Sequence, residues 1–254
     1  ADTPPGTSPE KAGHIYFETT PSKDLFNQSG FSDFDDFWNL PHEFVDDVNY
    51  RRGGWSAVST LELADSSQGK KLFFVKRQEN QPRYSLRHPF GRLTFEIEVD
   101  AIKRVKQLGL PAVEVVCWGV QKTEGSRRAI VVTRAIEFPT LLDLINSDPD
   151  WDAVLPLLRT CGATIYRMHQ QKIRHGALYP NHIFLDPQTA EVQLIDFEGS
   201  RKCRSIKKAI QPDMKQLLKR LGSMPIGARE ALLEPYFENH NKLLTAALKN
   251  QDTD

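Results

Sequence analysis

RHGALYPNHIFL (Arg174–Leu185) is followed, nine residues after its end, by LIDFE (Leu194–Glu198). Ile183–Leu185 and Val192–Ile195 read as two short apolar strands, and DPQT, Asp186–Thr189, as the turn between them. A His-led loop thus runs into a hairpin whose second strand delivers Asp196. A carboxylate placed just past a buried strand can hold a magnesium ion together with water and phosphate oxygens. Taken singly, such an Asp is as often a plain turn residue.

Outward from this hairpin the pattern is regular. Upstream, Val154–His169 is a long helix with an apolar face of Leu155, Leu158, Cys161, Ile165 and Met168. Before Pro139 the character is different. SAVSTLEL (Ser56–Leu63) and KLFFVK (Lys71–Lys76) are strands joined through DSSQG (Asp65–Gly69). Thr94–Leu108 is a helix, with Phe95, Val99, Ile102, Val105 and Leu108 at threes and fours and Gly109 and Pro111 past its end. Val113–Trp118 and Ala129–Thr133 are two further strands. Downstream, the chain from Asp213 is helical, with Asp213 expected as the N-cap. A β-rich part (49–136) and a mainly helical part (137–254) predict an α+β fold of two lobes. Residues 1–30, rich in Pro, Ser, Thr and Gly, are expected to be a poorly ordered tail, and 31–48 an acidic, aromatic extension.

Bulk properties narrow the function classes. Thirty-three basic residues balance 33 acidic ones, which argues against a general nucleic-acid binder. Mean hydropathy is −0.47 and no apolar run approaches a membrane span. The start is polar and Pro-rich, without the pattern of a signal peptide. Cys117, Cys161 and Cys203 are too scattered for a disulfide framework or zinc site, which points to a reducing cytoplasm. Charge is locally uneven: RKCRSIKK (Arg201–Lys208) carries five cations, and Arg77, Arg83, Arg87 and Arg92 form a second basic stretch. A solvated face is the ordinary meaning of such runs.

Four features share one order. RRGGWS (Arg51–Ser56) is a glycine turn, able to bring backbone amides close to phosphate oxygens, though Gly-Gly is also an ordinary hairpin turn. Lys76 ends a strand and can serve as a point charge for phosphates, or as a solvated strand end. Glu96 and Glu98 open the next helix. Glu98 borders its apolar stripe and is the better partner for Lys76, while acid enrichment of a first turn is the bland alternative. Asp196 is the fourth. Singly each is weak; their order and their strand, helix and turn context agree.

On RGGWSAV, FFVK, TFEIEVDAI, LGLPA, RHGALYPNHIFL and LIDFE, spanning about Asn49 to Leu221, the chain resembles the lipopolysaccharide kinase family of Kdo and heptose kinases, in its InaA-type branch. The resemblance implies a protein-kinase-like fold and transfer of the ATP γ-phosphate to a sugar of the lipopolysaccharide core. It implies ATP and Mg²⁺ as cofactors, Gly53, Gly54, Ser56, Lys76 and Glu98 as nucleotide-holding residues, and Asp196 and His182 as metal ligands. With Lys76, these last two form the catalytic set. An anionic glycolipid or phosphorylated sugar is the implied acceptor, with Arg201–Lys208 placed to meet it and with room for peripheral contact at the inner face of the inner membrane.

Two positions depart from the family pattern. Ala177 stands where the Asp that accepts the acceptor's proton belongs, and Glu198 replaces the Gly of the Asp-Phe-Gly turn. His182, Asp186 or Glu198 are candidates to substitute for that Asp. Asp213 can brace the loop backbone besides capping its helix, and His169 and His175 read as structural. The expectation is a phosphotransferase with an altered catalytic loop. The alternative is a pseudokinase that binds nucleotide and acts as regulator or scaffold in envelope or stress responses. A small-molecule phosphotransferase of the aminoglycoside type is the third reading.

Overall fold

The computed structural model describes residues 13–41, 45, 47–51, 53–65, 69–85 and 88–249. Residues 1–12, Glu43, Asp46, Arg52 and Arg87 therefore lie outside the described residues. The first elements are β1 (His14–Phe17), α1 (Thr20–Gln28), α2 (Phe34–Trp38), β2 (Asn49–Arg51), β3 (Gly54–Asp65) and β4 (Gly69–Glu79). They continue with β5 (Pro82–Ser85), β6 (His88–Leu93), α3 (Thr94–Gln107), β7 (Val115–Thr123) and β8 (Ser126–Arg134). Six of these strands make one antiparallel sheet in the order β1-β7-β8-β4-β3-β2.

Alternation along β4 gives the sheet its two faces. Phe73 and Val75 are buried against Phe26, Phe34, Phe37 and Leu40, with Val132 and Ile130 of β8 beside them. Lys76 and Gln78 leave on the opposite face, toward α3. The expectation of a disordered start is corrected for residues 13–30: β1 pairs with β7, and α1 buries Phe26 completely. Pro21 near the start of α1 and the polar surface of its remaining residues conceal the helix from a composition reading.

The acidic aromatic extension has the same logic. Phe34 and Phe37 fill the core while Asp33, Asp35 and Asp47 are exposed, and Asp33 and Asp36 form a capping box at the start of α2. Asp33→Ala should lower stability by about 1 kcal/mol in urea titration, and an unchanged midpoint would remove the cap from the account. Arg77 ties the extension down. Its guanidinium is fully buried and donates to Trp38 O (2.9 Å), Leu40 O (2.8 Å) and Ser59 Oγ (2.6 Å). Burial lowers its pKa. Arg77 is thus withdrawn from the basic stretch predicted for an anionic acceptor, because it shares the Phe73 face of β4.

The second half contains α4 (Leu141–Asn146), α5 (Trp151–Gln170), β9 (Ile173–Arg174), β10 (Ile183–Leu185), β11 (Val192–Leu194), β12 (Arg201–Lys202), α6 (Ile206–Leu218) and α7 (Ile226–Lys249). β10 and β11 form the expected hairpin, and β9 pairs with β12. α6 begins earlier than expected: Ser205 is its N-cap, and Asp213 lies inside it. The helix tolerates Pro212 because the carbonyl that Pro212 cannot bond, that of Lys208, faces the Cys203 thiol at 3.5 Å.

The chain divides into two compact units, Ala1–Val99 with Glu114–Ala135 and Asp100–Val113 with Ile136–Asp254. Residues 100–113, expected in the first lobe, belong to the second unit. There Val113 N donates to Leu194 O (2.9 Å) and Arg167 Nη2 to Gly109 O (3.2 Å).

Candidate active site

In the first unit, Gln78 sets the geometry. Its buried carboxamide accepts from Phe95 N (3.3 Å) and donates to Thr94 Oγ1, so it fastens the start of α3 to β4. Lys76 lies two residues back on the same face of the strand, and Glu98 lies one turn on along the helix. Those two steps cover about 6.7 and 6 Å, so fastening one pair brings the other together. Lys76 Nζ meets Glu98 Oε1 at 2.5 Å, with the side chains 19% and 1% exposed. Glu96 is used differently: it accepts from Leu93 N (3.0 Å) at the helix start and pairs with Arg127 (3.6 Å).

The glycine turn joins β2 to β3. Gly54 is required by packing, since a Cβ there would sit 2.0 Å from Glu79 O. Gly53 has φ +79. Ser56 opposes Gln78 and Val58 opposes Lys76, which puts Ser56 on the Lys76 face of the sheet.

In the second unit, the loop of Arg174–His182 is built around Asp213. This carboxylate is fully buried on α6. It accepts from His175 N (2.6 Å), Gly176 N (2.9 Å) and His169 Nε2 (3.1 Å), and Arg174 lies 3.5 Å away. Burial alone would raise its pKa; the hydrogen bonds from His169 and from the Gly176 amide oppose that and the net direction is down. His169 Nδ1 meets the Tyr236 hydroxyl at 2.7 Å. Gly176 has φ +93, and a Cβ on it would lie 2.4 Å from Gly199 O. Two stretches separated in sequence therefore touch backbone to backbone, the loop and the turn that follows Asp196.

Ala177 is 8% exposed, and its carbonyl accepts from His182 Nδ1 at 2.9 Å. The same nitrogen lies 3.5 Å from Asp196 Oδ2. A carbonyl can only accept, so Nδ1 carries a proton. His182 therefore spends its Nδ1–H on the Ala177 carbonyl, with the Asp196 carboxylate beside the ring. Asp196 has φ +63, an uncommon conformation for an Asp, and its side chain is 30% exposed. Among the described residues no three His, Cys, Asp or Glu cluster to hold a metal by themselves. A single open carboxylate fits a hard ion that arrives with phosphate and water.

Asp186 closes the β10–β11 turn, accepting from Thr189 Oγ1 (2.5 Å) and Gln188 N (2.8 Å), and the Thr189 bond lowers its pKa. It is thereby withdrawn as a substitute for the missing Asp. Arg201, Lys202, Arg204, Lys207 and Lys208 are all exposed on β12 and the start of α6.

His175 packs against Phe197, with ring centres 4.6 Å apart and the planes tilted by 48°, and is fully buried. Burial drives its pKa from 6.5 down to about 4, against the opposing pull of Asp213 and Asp196. Between those values the unfolded chain binds a proton that the folded chain refuses. Stability should thus fall as pH drops through this window, by roughly 3 kcal/mol. Urea midpoints should show that slope in the parent and lose it in His175→Asn; an equal slope in both would assign it elsewhere.

Sequence reasoning missed Gln78, whose Gln-Glu-Asn-Gln surroundings read as a polar strand end. It also missed the Gly176–Gly199 contact, which joins positions no local pattern connects.

The Lipopolysaccharide kinase (Kdo/WaaP) family model matches residues 35–236. Protein InaA of Escherichia coli strain K12 is 32% identical over 213 residues, covering 82% of this chain and 96% of InaA. Among solved structures, WaaP in complex with acyl carrier protein has a TM-score of 0.59 at 18% identity, covering 94% of this chain and 98% of WaaP. The likeness supports a protein-kinase-like fold.

Proposed function

This chain belongs to the lipopolysaccharide kinase (Kdo/WaaP) family, and from that premise we propose that it binds ATP with Mg²⁺ and transfers the γ-phosphate to a lipopolysaccharide core sugar or related anionic acceptor. The observation that carries the reading is Lys76 held at 2.5 Å by a buried Glu98. An ammonium fixed in that way is a point charge for phosphates. Gly53 and Gly54 supply close backbone approach, and Ser56 shares the Lys76 face. Asp196 would hold the Mg²⁺, which neutralises charge on the transferring group when bound. His182 offers Nε2 as a second donor. The exposed cations of Arg201–Lys208 suit an anionic acceptor. Among the described residues no helix is long and apolar enough to cross a membrane; work at the cytoplasmic face of the inner membrane is part of the proposal.

Ala177 sets the rate. Phosphoryl transfer passes through a loose transition state and depends mostly on position and charge. A positioned base adds about 10²- to 10⁴-fold. Slow transfer is therefore expected from the natural sequence, and Ala177→Asp should raise it by at least about tenfold. Label transfer from ATP to delipidated core oligosaccharide measures this, with Asp196→Ala as the background. If neither form exceeds that background while Mg-ATP still raises the melting temperature, the second reading prevails. In that reading, which Ala177 itself favours, the chain is a nucleotide-binding regulator or scaffold.

A further inference from the structure

The first unit carries a cavity that shares Gly53, but no other residue, with the nucleotide proposal. It measures ≈430 Å³ and lies at the turns of the β2–β3 and β7–β8 hairpins and the base of the β5–β6 ribbon, where Gly53, Pro82, Tyr84, Leu93, Lys122 and Arg127 line it. Lys76, Gly54 and Ser56 are absent from its lining. Arg127 stands four residues along β8 from Val131, the residue opposite Lys76. That separation is about 13 Å on the same face of the sheet.

Two observations give the cavity a chemistry. Lys122 and Arg127 are directly opposed in the β7–β8 register. Side chains so paired start about 5 Å apart on one face, and like charges there repel. An anion between them converts that repulsion into two attractions. The Arg127 guanidinium is also held in advance, donating to Gly91 O (3.0 Å) and pairing with Glu96 (3.6 Å). Little rotamer freedom is left to lose when a ligand arrives. The facing wall is apolar: Leu93 is fully buried, Pro82 pairs with it across the ribbon, and the Tyr84 ring is 66% exposed.

We propose that this cavity binds a small organic anion, a carboxylate or phosphate monoester carried on a flat apolar ring. Lys122 and Arg127 hold its charge, and Tyr84, Pro82 and Leu93 take its ring. Apart from Gly53, its residues are not those proposed to hold ATP.

Isothermal titration of the full chain with phenyl phosphate, benzoate and inorganic phosphate tests this. Phenyl phosphate or benzoate should bind saturably and more tightly than inorganic phosphate, and should still bind with Mg-ATP at saturation. Lys122→Gln and Tyr84→Ala should each weaken binding by about five- to tenfold. Lys215→Gln, the same charge removed from an exposed position of α6 in the other unit, should leave it unchanged. Absence of saturable binding by all three probes up to about 10 mM overturns the site. So does displacement by Mg-ATP, parental affinity in either cavity variant, or an equal loss in Lys215→Gln.

Discussion

Lys76→Met should cut phosphate transfer by about 10²- to 10³-fold, the usual loss when a charge aimed at the transition state is removed. Met has nearly the length of Lys and fits the strand, so packing changes little. Electrostatics changes twice, however. The phosphate-holding cation disappears, and Glu98, 1% exposed, loses its partner. An orphaned buried carboxylate costs about 3–5 kcal/mol, enough to imitate a catalytic defect by unfolding the protein. Lys76→Met combined with Glu98→Gln separates the two. The pair of changes should recover most of the urea midpoint while transfer stays low. A double variant that is both stable and as active as the parent would show that Lys76 holds no phosphate.

The parts of this site visible in the sequence are those that obey a period or a short motif. β4, α3 and the β10–β11 hairpin follow from alternation, from apolar residues at threes and fours, and from a polar turn. Lys76 and Glu98 follow from being the charged residues beside those apolar runs. Long-range contacts leave no such trace. Arg77 adjoins Lys76, and the two look alike in the sequence, yet strand alternation sends one under the aromatic extension and the other toward α3. α1 escapes notice because a helix of nine residues barely displays a 3.6-residue period, and α2, of five, reads from Phe31, Phe34, Phe37 and Trp38 either as a short helix packed on the body or as an extended arm. Asp213 misleads for another reason. Asp is a favoured N-cap and Pro is disfavoured in a helix interior, yet both lie inside α6, where the Lys208 carbonyl that Pro212 leaves unbonded faces Cys203.

Asp213→Ala should be the most damaging single change in the second unit, lowering stability by about 3–5 kcal/mol. The carboxylate is the common acceptor of a buried network whose donors have no alternative. Tyr236 is fully buried with its pKa raised by desolvation, so its hydroxyl keeps its proton and donates to His169 Nδ1. His169 Nε2 must then donate to Asp213, beside the His175 and Gly176 amides. Alanine leaves three buried donors unpaired at once. Asparagine restores one acceptor oxygen but turns an amide toward groups that also donate, so Asp213→Asn should fall between the parent and alanine. Urea denaturation and hydrogen exchange at the His175 and Gly176 amides measure both effects, since the loop should lose protection before the rest of its unit. If alanine costs under about 1 kcal/mol and those amides stay protected, Asp213 does not brace the loop. The network also bears on Ala177. Because α6 fixes the backbone on its N-terminal side, an aspartate introduced at position 177 starts from a positioned loop.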